Sequence, residues 1–283
     1  MSEIIDGNKI AQEIYQDLRV KIQDLRNQGI APRLFVVAVG DNPVSSSYIH
    51  TKQKKAEEIG IDLEIKSFSA ETTKAEILDF LRALNENPQV HGIVVQLPLP
   101  ENLETQEILD GILPEKDVDC LTSVNNQKLV HAEPLIFLPP AAAAILKILD
   151  YCKVDLSSRE ILLVGSGDLV GKPLAALLLQ RGINFRLANE FTEDIEALAK
   201  KADVLISATG QPGLIKGEMI KNQAIVIDAG TAGSEGGALQ GDVDFAEAAS
   251  RASLITPVPG GVGPVTVAML LKNVIKAASP SGI

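Results

Sequence analysis

Short runs of apolar, mostly β-branched residues alternate with amphipathic runs along most of the 283-residue chain. This alternation is typical of parallel strands joined by crossover helices, so we predict an α/β protein. The predicted strands are Leu34–Val39, Asp62–Phe68, Gly92–Gln96, Ile161–Val164, Asn184–Ala188, Val204–Ala208, Ala224–Asp228 and Ser253–Ile255. The predicted helices are 8–27, 44–59, 73–85, 103–110, 169–180, 193–201 and 263–277.

A proline pair, Pro139-Pro140, precedes four alanines and marks a junction between two domains. Proline suits the first turn of a helix, and alanine propagates a helix well. We therefore predict an N-terminal α/β catalytic domain over 1–139, to which the C-terminal helix in 264–283 returns. Residues 140–263 are predicted to form a Rossmann-like nucleotide-binding domain with a parallel sheet.

The composition narrows the classes of function. With 46% hydrophobic residues the chain can build a globular core, and a net charge of −11 disfavours binding to nucleic acid. We expect no membrane span and no secretory leader, and therefore a cytoplasmic protein. The two cysteines and three histidines lack metal-ligand spacing, so no metal is expected; they are Cys120, Cys152, His50, His91 and His131.

A loop rich in glycine and proline occupies 257–264, between an apolar run and a predicted helix. Proline makes some of its bonds rigid, and glycine allows positive φ at others, so the backbone can approach a flat ligand closely. We interpret the loop as the wall of a binding site. An ordinary turn between strand and helix is the alternative.

Tyr48 and Lys52 lie four residues apart in a predicted helix and therefore share one face. A lysine in an apolar cleft has a lowered pKa and can act as an acid or base, while tyrosine offers a flat ring. The alternative is a solvated face, because Lys52 opens the run Lys52-Gln53-Lys54-Lys55.

Gln96 ends a buried-type strand, at the edge of a parallel sheet where ligands gather. Its amide both donates and accepts hydrogen bonds. In Lys116-Asp117-Val118-Asp119, alternation places one aspartate inward, where a carboxylate can bind an amino-pyrimidine edge. The alternatives are that Gln96 lies in a surface turn and that Asp117 and Asp119 are both exposed loop residues.

A strand, a glycine turn and a helix start follow one another in 161–171, an arrangement that suits a pyrophosphate. The spacing of Gly165, Gly167 and Gly171 is one residue longer than the usual dinucleotide fingerprint. Glu190 follows the next strand, where an acid commonly binds ribose hydroxyls and repels a 2′-phosphate. These residues favour NAD over NADP, unless Glu190 only caps the helix that begins near Thr192.

Several of these strings, in order, resemble the bifunctional methylenetetrahydrofolate dehydrogenase/cyclohydrolase family over nearly the whole chain. The strings that carry the resemblance are Ile5-Asp6-Gly7, Gly40-Asp41-Asn42-Pro43 with Ser45, Tyr48-Ile49-His50-Thr51-Lys52, Val95-Gln96-Leu97-Pro98-Leu99-Pro100, Lys116-Asp117-Val118-Asp119, Gly241-Asp242-Val243 and Pro257-Val258-Pro259-Gly260-Gly261-Val262-Gly263-Pro264.

The resemblance implies oxidation of 5,10-methylene- to 5,10-methenyltetrahydrofolate with NAD(P), followed by hydrolysis to 10-formyltetrahydrofolate. It implies that Lys52 is the catalytic lysine, that Gln96 contacts and tunes it, that Tyr48 stacks on the folate and that Asp119 binds the pterin edge. It also implies a homodimer formed through the nucleotide domains. The remaining residues that it assigns to the folate pocket are Val95, Leu97, Pro259, Gly260, Gly261, Val262 and Gly263.

The chain departs from the family pattern mainly in its second half. Ser166 stands where the family has the arginine expected to pair with the 2′-phosphate of NADP, and Glu190 replaces a small or basic residue. Pro139-Pro140-Ala141-Ala142 replaces Pro-Cys-Thr-Pro, Gly230-Thr231-Ala232 replaces Gly-Ile-Asn, and Cys120 replaces glycine. We interpret the set as adaptation to NAD. The cofactor residues are expected to be Gly165, Ser166, Gly167, Gly171, Glu190 and Thr231.

Three other functions are compatible with part of the pattern. A short-chain dehydrogenase has a similar Tyr-Lys pair, but there the glycine turn precedes the pair, whereas here Lys52 precedes Gly165. A cyclohydrolase with a degenerate cofactor site is the main alternative, because the changes concentrate in the cofactor motifs. A folate-binding protein without catalysis is disfavoured by the presence of Lys52.

Overall fold

The computed structural model describes residues 2–233 and 239–279. The strands are β1 (Glu3–Ile4), β2 (Arg33–Val39), β3 (Asp62–Phe68), β4 (Gly92–Val95), β5 (Ile161–Val164), β6 (Arg186–Ala188), β7 (Val204–Ser207), β8 (Ile225–Asp228), β9 (Ala232–Gly233), β10 (Leu239–Gln240) and β11 (Leu254–Ile255). The α-helices are α1 (Gly7–Asn27), α2 (Pro43–Ile59), α3 (Lys74–Glu86), α4 (Thr105–Leu109), α5 (Ser123–Val130), α6 (Pro140–Tyr151), α7 (Gly171–Gln180), α8 (Ile195–Ala199), α9 (Phe245–Ala248) and α10 (Val262–Ala278).

The chain divides into two compact units, each with its own parallel sheet. The three-stranded unit comprises Glu13–Pro140 and Val267–Ile283, and the six-stranded unit comprises Met1–Gln12 and Ala141–Thr266. The α/β class is therefore confirmed. The predicted domains placed 1–12 with the catalytic half. Of the ranges predicted for the domains, 1, 234–238 and 280–283 lie outside the described residues.

The sheet of the three-stranded unit has the order β3-β2-β4, with all pairs parallel. The central strand β2 has apolar residues that are buried, and β4 is buried along its whole length. The α3 helix starts at a capping box, in which Thr73 accepts from the Glu76 N–H and the Glu76 side chain accepts from the Thr73 N–H. Because β2 pairs with β4 in parallel, with Val37 opposite Val95, the carboxyl ends of these two strands lie side by side at one edge of the sheet.

The sheet of the six-stranded unit has the order β1-β11-β8-β7-β5-β6, again with parallel pairing. From β5 the chain runs to β6 on one side and then to β7 on the other. The strand order thus reverses next to β5, which is where doubly wound α/β folds bind ligands. The turn that follows β5 at Gly165 occupies this position.

Residues 1–12 belong to the six-stranded unit because β1 pairs with β11 in parallel register, Glu3 opposite Leu254 and Ile4 opposite Ile255. A two-residue strand has too short a pattern to be recognised in the sequence. Its partner lies at the far end of the chain. The N-terminal strand is therefore a tertiary feature that local periodicity does not reveal.

The α10 helix is anchored in the three-stranded unit by a buried asparagine. Asn273 Nδ2 donates to the backbone carbonyls of Val118 and Leu138, at 2.9 Å each. Asn273 is 6% exposed, so water cannot readily replace these bonds. These bonds hold α10 against the segments of Val118 and Leu138.

We expect Asn273→Ala to lower the free energy of unfolding by about 2 kcal/mol, because it leaves two carbonyls without their donor. Urea unfolding of the purified protein measures the change. Lys276→Ala on the same helix is the matched control, since Lys276 is exposed and should be neutral within about 0.5 kcal/mol. An equal effect of both variants would contradict the anchoring role of Asn273.

Candidate functional site

The α2 helix and the end of β4 bring a lysine and a glutamine together in the three-stranded unit. Tyr48 and Lys52 lie one turn apart on α2, and Gln96 follows β4 directly. Lys52 Nζ donates to Gln96 Oε1 at 3.0 Å, and Gln96 Nε2 donates to the Leu97 carbonyl at 2.9 Å. The Gln96 backbone N–H donates to the Val37 carbonyl at 2.8 Å. Hydrogen bonds thus hold both the side chain and the backbone of Gln96.

The environment of Lys52 favours its uncharged form. Loss of hydration lowers the pKa of Lys52, and attraction to the Asp119 carboxylate opposes this shift. Burial raises the pKa of Asp119, the charge of Lys52 opposes that rise, and Asp117 adds to it. An amine whose pKa is lowered can accept and release a proton closer to neutrality than a solvated lysine.

The lysine run on α2 is not a single solvated face. Lys52 is half-buried, whereas Lys54 is exposed and Lys55 forms an ion pair with Glu58 at 2.8 Å. Gln96 is half-buried too and is occupied by Lys52. The alternative of a solvated helix face therefore does not apply to Lys52, and the alternative of a surface turn does not apply to Gln96.

The loop that carries Asp119 is organised by the neighbouring Asp117. Asp117 is 1% exposed, and its carboxylate accepts from Leu121 N, Thr122 N, Thr122 Oγ1 and Asn125 Nδ2 at 2.8 to 3.1 Å. These donors all lie close to Asp117 in the sequence, and they provide hydrogen bonds to both carboxylate oxygens. Asp117 is therefore a structural residue, and the sequence contained no signal that separated its role from that of Asp119.

Two further residues of the proposed pocket lie beside Gln96. Val95 is 2% exposed and belongs to the core behind the strand, while Leu97 is half-buried. Tyr48 is half-buried as well. The three-stranded unit thus contains a lysine of lowered pKa, an amide hydrogen-bonded to it, a carboxylate that acts on its charge and a partly accessible aromatic ring.

The loop at 259–263 lies in the six-stranded unit and packs on the start of α1. Gly7 N donates to the Gly260 carbonyl at 2.9 Å, and a Cβ on Gly7 would lie 1.8 Å from the Gly261 carbonyl oxygen. Gly260 has a φ of 103°, which glycine adopts readily. Pro259 and Gly263 flank this contact. The close approach explains why Gly7 and the glycines of the loop occur together in one chain.

The glycine turn after β5 has room for a phosphate. A Cβ on Gly165 would lie 2.4 Å from the Ala208 carbonyl oxygen, and a Cβ on Gly171 would lie 2.1 Å from that of Gly165. Gly167 has open space around it. The ten-residue α7 helix begins at Gly171 after Val170, whose apolar side chain cannot cap it. Lys172 N donates to the Gly167 carbonyl at 3.0 Å and Pro173 has no N–H, so the Gly171 N–H is the group of the first turn that can bind an anion.

The second residue after β6, Glu190, is an exposed acid in a tight turn. Val164 pairs with Ala188, so the turns that follow β5 and β6 start side by side, and Ser166 and Glu190 each lie two residues beyond the paired positions. The helix that follows is capped by Asp194, whose carboxylate accepts from Ala197 N at 3.0 Å. The alternative in which Glu190 caps that helix is therefore wrong.

Thr231 lies in an exposed position beyond β8, near a buried pair of aspartates. Asp228 accepts from the backbone N–H groups of Gly230, Asp242 and Val243 at 2.9 to 3.1 Å. A Cβ on Gly230 would lie 1.9 Å from Asp242 Oδ1. Glycine at 230 is therefore required by the aspartate pair.

The second aspartate, Asp242, links the aspartate pair to the end of β7 and to the loop that follows it. Asp242 Oδ2 accepts from Ser207 Oγ at 2.8 Å and from Thr209 N at 2.6 Å, whereas Asp242 Oδ1 is buried without a hydrogen-bond partner in the described residues. Burial, with repulsion from Asp242, raises the pKa of Asp228 to about 6. The Gly241-Asp242-Val243 string thus acts by arranging the loops after β7 and β8.

Within 2–233 and 239–279, no helix is both long and apolar enough to span a bilayer. In the same residues, no three side chains of His, Cys, Asp or Glu form a group able to hold a metal ion.

Comparison with known proteins gives the same picture in both halves. Residues 5–119 match the tetrahydrofolate dehydrogenase/cyclohydrolase catalytic domain, and residues 139–281 match the NAD(P)-binding domain of that family. The bifunctional protein FolD of Bacillus licheniformis is 43% identical over 275 residues, which cover 97% of this chain and 96% of that protein.

Solved structures are similar over the whole chain. The bifunctional FolD methylenetetrahydrofolate dehydrogenase/cyclohydrolase of Campylobacter jejuni has a TM-score of 0.94 and 37% identity, over 98% of this chain and 99% of that one. The Trypanosoma brucei methylenetetrahydrofolate dehydrogenase-cyclohydrolase, a complex with NADP cofactor and an inhibitor, has a TM-score of 0.93 and 36% identity, over 98% and 97% of the two chains.

Removing the charge of Asp242 should change how stability depends on pH. Because the pKa of Asp228 is raised from 3.8 to about 6, its contribution is present below pH 3.8 and is lost as the pH rises towards 6, by roughly 3 kcal/mol. In Asp242→Asn, the amide oxygen still accepts from Ser207 and Thr209, and the repulsion is gone. We expect this loss between pH 4 and pH 7 to be smaller in the variant.

Urea unfolding at several pH values measures this change. Asp168→Asn is the control, because Asp168 is exposed in an ion pair with Lys172 and should leave the pH dependence unaltered. A wild-type pH dependence in Asp242→Asn would show that the two aspartates do not interact.

Proposed function

Because the chain belongs to the tetrahydrofolate dehydrogenase/cyclohydrolase family, we propose that it oxidises 5,10-methylenetetrahydrofolate to 5,10-methenyltetrahydrofolate and hydrolyses that product to 10-formyltetrahydrofolate. The observation that carries this proposal is the half-buried Lys52, bonded to Gln96 and electrostatically coupled to Asp119. An uncharged amine in this position is suited to proton transfer to and from water.

In the hydrolytic step, the Lys52 amine takes a proton from the attacking water while the new C–O bond forms at the methenyl carbon. The resulting ammonium returns the proton to the ring nitrogen as the C–N bond breaks, and the proton of the new hydroxyl group passes to bulk water as the formyl C=O bond forms. Gln96 Oε1 accepts from the ammonium and so aims it, and the Gln96 amide group is itself fixed by the Leu97 carbonyl. Asp119 limits the fall in the pKa of Lys52, which keeps both protonation states accessible.

The remaining residues of the three-stranded unit bind the substrate in this proposal. The Asp119 carboxylate accepts paired hydrogen bonds from the amino edge of the pterin, as carboxylates do with adjacent N–H donors. The Tyr48 ring stacks on a flat part of the folate. Leu97 and the backbone of Val95 line the pocket next to Gln96.

The oxidative step needs a nicotinamide dinucleotide, and the six-stranded unit has residues that fit one. When bound, this group accepts the hydride from the methylene carbon. The glycine turn of Gly165, Ser166 and Gly167 and the Gly171 N–H at the start of α7 suit its pyrophosphate, because Gly167 has open space around it and no side chain caps the helix. Thr231, at the loop beyond β8, is assigned to the same site.

We further propose that NAD is preferred to NADP. Support comes from Glu190, whose exposed carboxylate suits ribose hydroxyls and repels a 2′-phosphate, and from Ser166, which carries no positive charge. The related Trypanosoma brucei enzyme was solved with NADP. The proposed preference for NAD therefore rests on Glu190 and Ser166 of this chain and not on that relative.

A cytoplasmic homodimer formed through the six-stranded unit completes the proposal. Support comes from β6, an edge strand that pairs with β5 on one side and exposes Leu187 to solvent. An edge strand offers unpaired backbone groups to a second copy. Light scattering on the purified protein measures the molar mass, and a monomer would refute this part.

Lys52→Met should reduce hydrolysis of 5,10-methenyltetrahydrofolate at least 100-fold, because no other group replaces the proton transfer of the amine. The decay of methenyltetrahydrofolate absorbance measures this rate, corrected for the uncatalysed reaction. Lys54→Met is the matched control on the exposed face of α2 and should keep the wild-type rate. Retained hydrolysis by a folded Lys52→Met would refute the assignment.

Glu190→Ser should reverse or erase the cofactor preference. The wild type is expected to reduce NAD with a kcat/KM at least 10-fold above that for NADP, and the variant should lower this ratio about 10-fold or more. Glu193→Gln changes the net charge equally at an exposed neighbouring position and should keep the ratio. Hydrolysis without reduction of either cofactor would instead favour the cyclohydrolase with a degenerate cofactor site.

A further inference from the structure

Phe191 is the most exposed large apolar side chain among the described residues. It is 84% exposed, whereas the next, Val130 and Leu179, are 69% and 66% exposed. An aromatic ring in water forgoes the stabilisation that burial would give. Phe191 directly follows Glu190, at the carboxyl edge of the six-stranded sheet. A flat aromatic ring in that position can stack on a flat part of a ligand.

The backbone beneath the ring is held in place. Asn189 Oδ1 accepts from Phe191 N at 3.0 Å, Thr192 Oγ1 accepts from Asn189 N at 2.9 Å, and Thr192 N donates to the Asn189 carbonyl at 2.9 Å. The turn from Asn189 to Thr192 is thus closed by its own hydrogen bonds. Binding a ligand on the ring would require little additional ordering of the chain.

The turn lies next to the glycine turn because β5 and β6 are neighbours. Val164 pairs with Ala188, and Gly165 N donates to the Ala188 carbonyl at 2.8 Å. Phe191 is three residues beyond Ala188, so its Cα lies within about 11 Å of the Cα of that strand end. The ring is therefore close to the position assigned to the ribose by Glu190.

We propose that Phe191 is the adenine platform of the dinucleotide site, with its ring stacked on the purine base while Glu190 binds the adjoining ribose. This inference rests on the proposed NAD-dependent function and deepens it. The base is attached to the same ribose that Glu190 binds, so consecutive residues meet consecutive parts of the ligand. NAD and NADP have the same adenine and differ in the 2′-phosphate of its ribose. Stacking of the base on Phe191 therefore contributes to the binding of both cofactors.

The test is binding of ADP-ribose and of 5′-AMP to the full-length protein by titration calorimetry. Phe191→Ala should weaken both ligands about 10-fold, which corresponds to about 1.4 kcal/mol. Phe191→Tyr, which keeps the flat ring, should bind like the wild type. Leu179→Ala is the matched control, because Leu179 is an exposed apolar residue on α7, eight residues from the helix start and thus about 12 Å along the axis.

The outcomes separate this inference from the function on which it rests. Equal affinity of the wild type and Phe191→Ala for ADP-ribose would overturn the adenine assignment alone. A loss of affinity that accompanies a change in molar mass by light scattering would also overturn it, because Phe191 would then act through an interface between copies.

Two further outcomes concern the dinucleotide itself. A wild-type preference for NADP, with both cofactors still weakened by Phe191→Ala, would refute the role of Glu190 and support that of Phe191. Failure of the wild type to bind ADP-ribose would refute the dehydrogenase proposal and this inference together. Methenyltetrahydrofolate hydrolysis, assayed in parallel without dinucleotide, should be unchanged in every variant of Phe191.

Discussion

A buried carboxylate that accepts backbone N–H groups organises the loops at the carboxyl edge of each sheet. Asp117 does this in the three-stranded unit, and Asp228 does it in the six-stranded unit. Such a carboxylate is stable in a low-dielectric interior only when donors surround it. The backbone that supplies those donors must therefore adopt one conformation. Asp119 and Thr231, two residues of the proposed sites, lie on loops that are held in this way.

The two carboxylates differ in what they do to neighbouring charges. The Asp117 carboxylate accepts four hydrogen bonds and contributes to the rise in the pKa of Asp119, whose own charge then acts on Lys52. Burial, with repulsion from the neighbouring Asp242, raises the pKa of Asp228 to about 6. The first cluster thus acts on the pKa of Lys52, and the second positions the loops after β7 and β8.

Much of this arrangement could be predicted from the sequence, because its signals are local. The strands β2, β3, β5, β7 and β8 have continuous or alternating apolar patterns, and α1 and α10 have clear apolar faces. Lys52, Gln96 and Glu190 could be selected because each falls on a helix face or at a strand end where ligands bind. The bond between Lys52 and Gln96 joins residues 44 positions apart, and the family resemblance implied it.

The features that escaped prediction depend on contacts between distant segments. The α5 helix is capped at its start by Thr122, and the Thr122 hydroxyl donates to Asp117. The apolar pattern of α5 is too short to predict a helix by itself. The aspartate pair joins residues 228 and 242 to Ser207, a combination with no local periodicity. Phe191 resembles a core residue by type, and only its 84% exposure reveals a different role.

The pairing of the first strand with the last has a consequence for biosynthesis. On the ribosome β1 emerges before its partners, Leu254 and Ile255, which are made some 250 residues later. The Asn273 amide likewise becomes available to Val118 and Leu138 only after a long stretch of chain has been translated. Closing such long loops lowers chain entropy before the contacts are gained. Neither unit can therefore complete its folding before Ile255 and Asn273 have been made, and a chain that stops before these residues contains neither unit in finished form.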